Sequence, residues 1–180
     1  LHLEEGGIKR MQDLVLDVVQ RGGANLQVVR AILGEQTGTV GSASDLLAQI
    51  VELGRVRARE CGISLQYAEP QKVDVIWVDA EPVVFLCADT LRRWIHGVPS
   101  GVSGFARLRL SGDEKGGACV RFGFDPCAGS LPFPLPIPEV IEAIKGSLLA
   151  ANASASAVTA SETGSETLEI RVPIRLAAGG

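Results

Sequence analysis

The chain has 180 residues, 46% of them apolar, and carries a formal net charge of −4 at pH 7. This length can bury one substantial core, and no apolar run approaches the roughly 18 residues that a membrane-spanning helix needs. Charges of both signs are interspersed without a basic block, which argues against nucleic acid as a partner. We therefore expect one cytoplasmic α/β domain, and the start at Leu1 rather than Met indicates a part of something longer.

The first 43 residues are predicted to form a helical pairing segment and a linker. Apolar residues recur at steps of three and four over residues 8–33, which is typical of a helix that packs against another helix. Gly22 and Asn25 lie in the same seam, and the Gly22–Gly23 pair would equally divide the segment into a short helical hairpin. Either interpretation gives the chain a helical surface for homodimerisation, or for a neighbour outside the sequence.

Residues 44–180 are predicted to form the globular domain. Ser44 is a good N-cap for a helix whose apolar face ends before the stop at Gly62. Residues 63–67 and 73–78 then alternate as two strands around a turn at residues 69–72. Next we expect a helix over about residues 80–96.

The second half of this domain begins with a hairpin signal. Residues 105–110 and 118–124 alternate strongly and are separated by a polar, Gly-containing turn. Residues 131–138 alternate with Pro and are expected to be an extended loop, since Pro lacks a backbone donor. Pro138 can begin a helix that runs to about Ala151, a weak strand follows at 154–160, and the last strand covers 167–174.

Several local motifs resemble the ATP-binding domain of sensor histidine kinases. Gly62-Ile63-Ser64-Leu65 after an amphipathic helix, and Val78-Asp79-Ala80 before another, are similar to the beginning of that domain, and residues 160–174 are similar to its end. The resemblance covers roughly residues 44–176. It implies an α+β two-layer sandwich, in which a mixed sheet carries helices on one face, preceded by a helix of a dimerisation and phosphotransfer hairpin.

The same resemblance marks the places where the family holds its nucleotide. Two asparagines one helical turn apart hold magnesium and phosphates in the family, and their places fall on Asp89 and Arg93. Asp can ligate a hard cation, whereas Arg offers only donors and would have to contact phosphates directly. The favoured interpretation is an i, i+4 ion pair on an exposed helix face.

Two further motifs of the family are altered. The adenine-binding DxGxG motif keeps Asp125 and Gly129, but Cys127 replaces its first Gly and adds a side chain where close backbone approach is needed. The glycine-rich lid is absent, and its place is taken by the Pro-rich loop, interpreted either as a polyproline ligand for a partner or, preferably, as a lid remnant that buries Phe133 and Leu135.

Other chemistry is weakly supported by the residues present. His2 lies outside the periodic segment and His96 ends a helix, so neither resembles a phosphoacceptor. The 4 cysteines are far apart and without CxxC spacing, so reduced and mostly buried thiols are expected and no metal site is predicted. We predict no catalytic residue and no cofactor beyond, at most, weakly bound ATP with magnesium.

The sequence thus predicts a degenerate histidine-kinase-like module, a pseudokinase that acts in two-component signalling and phosphorelay through protein contacts. Its expected partners are a second copy of the chain and a response regulator or kinase. One alternative is an active kinase or phosphotransferase domain that uses Asp89, Arg93 and Asp125. Another is a scaffold or dimerisation domain unrelated to kinases.

Overall fold

The computed structural model describes residues 38–129, 135–159 and 165–174, together with Arg30 and Ile32. Most of the predicted pairing segment and the centre of the Pro-rich loop, including Phe133, lie outside these described residues, and Arg30 and Ile32 of that segment are helical. The division of the chain between residues 43 and 44 stays a prediction. Within the described ranges, no helix combines the length and the apolar content that a bilayer span requires.

Strands and helices are interspersed along the described part of the chain. The strands are β1 (Gly41–Ser42), β2 (Ile63–Ala68), β3 (Ile76–Trp77), β4 (Gly104–Gly112), β5 (Ala118–Pro126), β6 (Ser154–Thr159) and β7 (Glu166–Val172). The helices are α1 (Ala43–Glu60), α2 (Glu81–Gly97), α3 (Ile137–Ala143) and α4 (Lys145–Ala151).

Five of these strands form one mixed sheet in the order β2-β4-β5-β7-β6. β2 runs parallel to β4, and the other neighbours are antiparallel. β1 and β3 form a separate antiparallel pair. The predicted hairpin is confirmed as β4 and β5, and the two-layer sandwich with a mixed sheet is confirmed as well.

The core lies between one face of the sheet and the helices. Alternate residues of β4 and β5 point to that face because side chains of a strand alternate between the two sides, and those of Ala106, Leu108, Val120 and Phe122 are fully buried. α2 packs over the same strands. Its Trp94 ring lies 6.4 Å from that of Phe122.

Three local predictions need correction. Ser42, rather than Ser44, caps α1, and its Oγ accepts a hydrogen bond from the backbone of Asp45 at 3.0 Å. The strand predicted over residues 73–78 is confined to Ile76–Trp77, and it pairs with β1. Glu69 accounts for this arrangement, since its Oε1 accepts from Ser44 Oγ and from the Val73 backbone, both at 2.7 Å. These bonds hold the loop against α1.

The helix expected from Pro138 to about Ala151 is divided in two. Pro lies in its first turn, as predicted, but Ile144 between α3 and α4 has φ −97° and ψ 5°, outside helical geometry. The Ile144 side chain is fully buried. Hydrogen bonds from Ile144 to Val140 and from Leu148 to Ile144 continue through the division, so the two short helices act as one bent segment.

One face of the sheet packs against the described helices, and we term the other the helix-free face. It carries a buried acidic residue. The Glu169 side chain is 1% exposed, and its two carboxylate oxygens accept from Arg121 Nε at 2.6 Å and Arg171 Nε at 2.7 Å. Burial raises the pKa of Glu169, but the hydrogen bonds from the two guanidinium groups outweigh burial and leave the pKa below its ordinary value. Ionised Glu169 therefore stabilises the sheet.

We expect Glu169→Gln to lower the free energy of unfolding by about 2 kcal/mol at pH 7, because the carboxylate charge is lost and one of its two acceptor oxygens becomes an NH2 group that faces an arginine donor. A lowered pKa stabilises the fold above the pKa of the unfolded chain, and this contribution is lost as pH falls through the folded-state pKa. Urea unfolding at neutral and acid pH should thus show the two proteins converging in acid. Glu142→Gln, which removes an exposed ion pair with Lys145, is the control, and equal losses at both pH values would contradict this prediction.

Candidate functional site

The two positions predicted to hold magnesium and phosphates lie one turn apart on α2. Asp89 Oδ2 accepts from Arg93 Nε at 2.9 Å, so the predicted i, i+4 ion pair is present. Asp89 Oδ1 accepts from Arg92 Nη2 at 2.8 Å, a contact that the sequence analysis missed. The predicted exposure of the pair is wrong, because Asp89 is buried at 5% exposure.

This arrangement, which we term the Asp89 clamp, comprises Asp89, Arg92 and Arg93. Each carboxylate oxygen of Asp89 is engaged by a guanidinium group, and Arg93 carries donors alone. A hard cation at Asp89 would have to displace a charge-assisted hydrogen bond and then lie beside two positive charges. The residues present at these two positions therefore do not fit magnesium.

The start of α2 is fixed by contacts with the chain before α1. Thr39 is fully buried, and its backbone N–H donates to Glu81 Oε1 at 2.7 Å, while its carbonyl accepts from the Ala80 backbone at 2.9 Å. Asp79 turns the chain into the helix with a φ of 47°, a left-handed value that Asp tolerates. These contacts set the direction in which α2 presents the Asp89 clamp.

The end of α2 is covered by the chain that follows the Pro-rich loop. A Cβ on Gly97 would lie 2.9 Å from Pro136 Cγ, so the absence of a side chain allows this close approach. Leu135 is 8% exposed and Ile137 is 1% exposed. The burial of Leu135 agrees with a loop folded onto the helix layer, and the corresponding prediction for Phe133 falls outside the described residues.

Asp125 is separated from the clamp by the sheet. Asp125 follows the inward-pointing Phe124 on β5, so its side chain lies on the helix-free face, where Oδ2 forms an ion pair with Arg107 Nε at 3.0 Å. Gly129 is exposed and has a φ of 69°. Because α2 packs on the opposite face, the structure does not bring Asp125 together with Asp89 and Arg93.

His96 and the cysteines form no second candidate site in the described part of the chain. His96 lies in the last turn of α2, as predicted. All four cysteines are free; Cys87 and Cys119 are buried, and burial raises the pKa of Cys87 to about 12. Over residues 38–129, 135–159 and 165–174, no group of three or more His, Cys, Asp or Glu is placed to hold a metal.

Comparison with known proteins identifies the fold. No protein-family profile and no curated protein matches the sequence. The catalytic domain of the histidine kinase ThkA superposes with a TM-score of 0.55 at 11% identity, covering 77% of this chain and 95% of that one. The cytoplasmic segment of the histidine kinase QseC gives 0.54 at 13% identity, with coverages of 94% and 91%.

Full-length ShkA, solved in complex with AMPPNP, superposes with a TM-score of 0.57 at 17% identity over 99% of this chain and 38% of that protein. This chain thus spans well under half of ShkA. At such low identity the likeness shows the fold, which is the fold of histidine-kinase catalytic domains, as the motifs at Gly62 and Asp79 implied.

Proposed function

We propose that the chain is a histidine-kinase-like module of two-component signalling, which acts through protein contacts and in which nucleotide binding is lost or weak. The observation that carries this proposal is the Asp89 clamp. A kinase domain that binds magnesium and ATP needs free oxygen ligands and phosphate donors together, whereas here the oxygens of Asp89 are occupied by Arg92 and Arg93.

The placement of Asp125 supports the same proposal. An adenine-binding carboxylate has to face the helix layer, since the Asp89 clamp lies there, but Asp125 pairs with Arg107 on the other side of the sheet. Neither residue is available to a nucleotide without breaking an ion pair. The AMPPNP complex of ShkA is a nucleotide-bound example of the fold. This chain shares the fold, and it carries Asp89, Arg93 and Cys127 where the family that it resembles has two Asn and a Gly.

A frame without its nucleotide site retains surfaces for other proteins. We propose a response regulator or a kinase as the partner, and a homodimer through the helical segment within residues 1–43. The fold supports the signalling partner, and the pairing seam of that segment supports the homodimer. Sedimentation analysis of the chain with and without residues 1–43 measures the homodimer.

The clamp is tested by restoring the family's two asparagines. In Asp89→Asn/Arg93→Asn, one guanidinium and the carboxylate charge are removed and each Asn offers an amide oxygen, so we expect saturable binding of magnesium and ATP that the unaltered chain lacks. Isothermal calorimetry at millimolar nucleotide measures it, after circular dichroism has established that the variant is folded. Arg57→Asn, which breaks an exposed ion pair with Glu60 on α1, is the control and should bind no nucleotide.

A double variant that binds no better than the unaltered chain would show that the clamp is not what closes the site. In that case, the reason for weak nucleotide binding would lie in the altered DxGxG motif or in the Pro-rich loop. Binding by the Arg57→Asn control would show that the nucleotide associates elsewhere, and it would likewise remove the clamp from the explanation.

A further inference from the structure

A groove lined by arginines follows the outer edge of β2. One cavity of about 560 Å³ extends along residues 64–68 and onto β4, and a second of about 330 Å³ extends from the end of α1 to residue 65. The two share Arg55, Ser64 and Leu65 and therefore form one continuous depression. We term it the β2 groove.

The charge of the β2 groove is opposite to that of the chain. Its lining contains four arginines, Arg55 and Arg59 from α1 with Arg107 and Arg109 from β4, and neither cavity is lined by an acidic residue. The whole chain has 17 basic and 21 acidic residues, so this concentration of one sign is local. Such a patch attracts a negatively charged ligand.

Two of these arginines are already paired, and two are available. Arg55 Nε lies 2.8 Å from Glu52 Oε1, and Arg107 is bound to Asp125. Arg59 and Arg109 are exposed, and no acidic residue in the described part of the chain forms an ion pair with either. The groove therefore holds two guanidinium groups whose charge is uncompensated.

No strand in the described part of the chain pairs with the outer edge of the sheet at this groove. β2 is the terminal strand there and, among the described strands, it pairs with β4, so alternate backbone N–H and C=O groups face outward. Proteins commonly block such edges with Lys, Pro or a bulge. β2 has the sequence Ile-Ser-Leu-Gln-Tyr-Ala and carries neither charge nor Pro, and its pairing with β4 is regular through all six residues.

We propose that the β2 groove binds an extended acidic segment of a partner protein, which adds to the sheet as a strand beside β2. The backbone of β2 would supply the strand pairing, and Arg59 and Arg109 would select acidic side chains that point to the two faces. A second copy of the chain is disfavoured, because pairing two β2 edges would bring the arginines of both copies together. A nucleic acid is disfavoured because it has no peptide backbone that could pair with the edge of β2.

This inference rests on the proposed function only in that a module acting through protein contacts needs a contact surface. The two can fail separately, because the groove lies on the edge and open face of β2, whereas the nucleotide question concerns the Asp89 clamp on α2. A peptide titration and a nucleotide titration therefore give independent answers.

The test uses the 180-residue chain and a short fluorescein-labelled peptide of repeating Glu-Glu-Val-Val, which presents Glu on both faces of a strand, titrated by fluorescence anisotropy. We expect saturable binding that weakens as salt is added, since exposed charges are screened. Arg59→Glu/Arg109→Glu should weaken it at least about tenfold, because two attractions become repulsions. Lys145→Glu, an exposed charge reversal on α4, is the control and should leave affinity unchanged.

Hydrogen exchange separates strand pairing from loose electrostatic contact. Binding of the peptide should slow exchange of the β2 amides, whereas the amides of β6, the opposite edge, should be unaffected. The proposal is overturned if the β2 amides are not protected, or if Lys145→Glu weakens binding as much as the groove variant does. Tighter binding of a single-stranded oligothymidylate than of the peptide would also overturn it, in favour of a nucleic-acid surface.

Discussion

Trp94→Ala is expected to lower the free energy of unfolding by about 4 kcal/mol, the largest effect of any variant considered. Trp94 is 1% exposed and connects the helix layer to the sheet. Its ring packs on Phe122, and its Nε1 donates to the Gly123 carbonyl at 3.1 Å. Truncation would remove this packing, leave a cavity and deprive the carbonyl of a donor.

Urea unfolding followed by circular dichroism measures this loss. Phe85→Ala on the same helix is the matched control, because Phe85 is 37% exposed, and we expect it to cost no more than about 1 kcal/mol. Trp94→Phe should lie between the two variants, since the ring contact survives and the hydrogen bond does not. A similar loss for Trp94→Ala and Phe85→Ala would contradict the position of α2 over β5.

Gly104→Ala is expected to cost about 3 kcal/mol, because the added methyl group has no space. A Cβ at Gly104 would overlap the Asp125 carbonyl and lie 2.5 Å from Phe124 Cζ. The carbonyl belongs to the backbone of the paired strand, since Gly104 lies opposite Pro126 in the β4–β5 register. The strain can therefore be relieved only by moving the strand itself.

Gly112→Ala is the control for this prediction, since it lies on the same strand and a Cβ there would meet no atom within 4 Å. It should be neutral or stabilising by less than about 1 kcal/mol, because Gly loses more backbone entropy on folding. Thermal unfolding of both variants compares them directly. Equal melting temperatures for the two would show that β4 and β5 do not approach in the register described.

The sheet was predictable wherever its pairing is local. The alternation of residues 105–110 and 118–124 predicted β4 and β5, because a polar turn joins them and both bury every second residue. The pairing of β3 was not predictable for the opposite reason. Its partner β1 lies far away in sequence, and only two residues of each strand pair, so the alternation around them carried no information on pairing.

The candidate site shows the same limit. The spacing of Asp89 and Arg93 predicted their ion pair, since residues four apart meet on a helix. The contact between Asp89 and Arg92 could have been predicted in the same way, because residues three apart also meet on a helix, but it was overlooked. The burial of Asp89 could not be predicted, because it depends on how α2 packs against the remainder of the domain.

The orientation of Asp125 could have been predicted from alternation. Phe122 and Phe124 are two residues apart and apolar, so Asp125 must point to the opposite side of β5. The motif comparison placed Asp125 in the nucleotide site by counting along DxGxG. The side-chain direction on the strand is the stronger constraint, because it follows from backbone geometry rather than from a short motif.

The most direct test of the central claim, that the kinase frame is retained while nucleotide binding is lost or weak, is a calorimetric titration of the unaltered chain with magnesium and ATP. We predict only the heat of dilution at millimolar nucleotide, because the Asp89 clamp is closed and Asp125 lies on the opposite face. Saturable binding that is weakened by Asp125→Asn would contradict this account, and it would instead favour an active kinase or phosphotransferase domain that uses Asp89, Arg93 and Asp125.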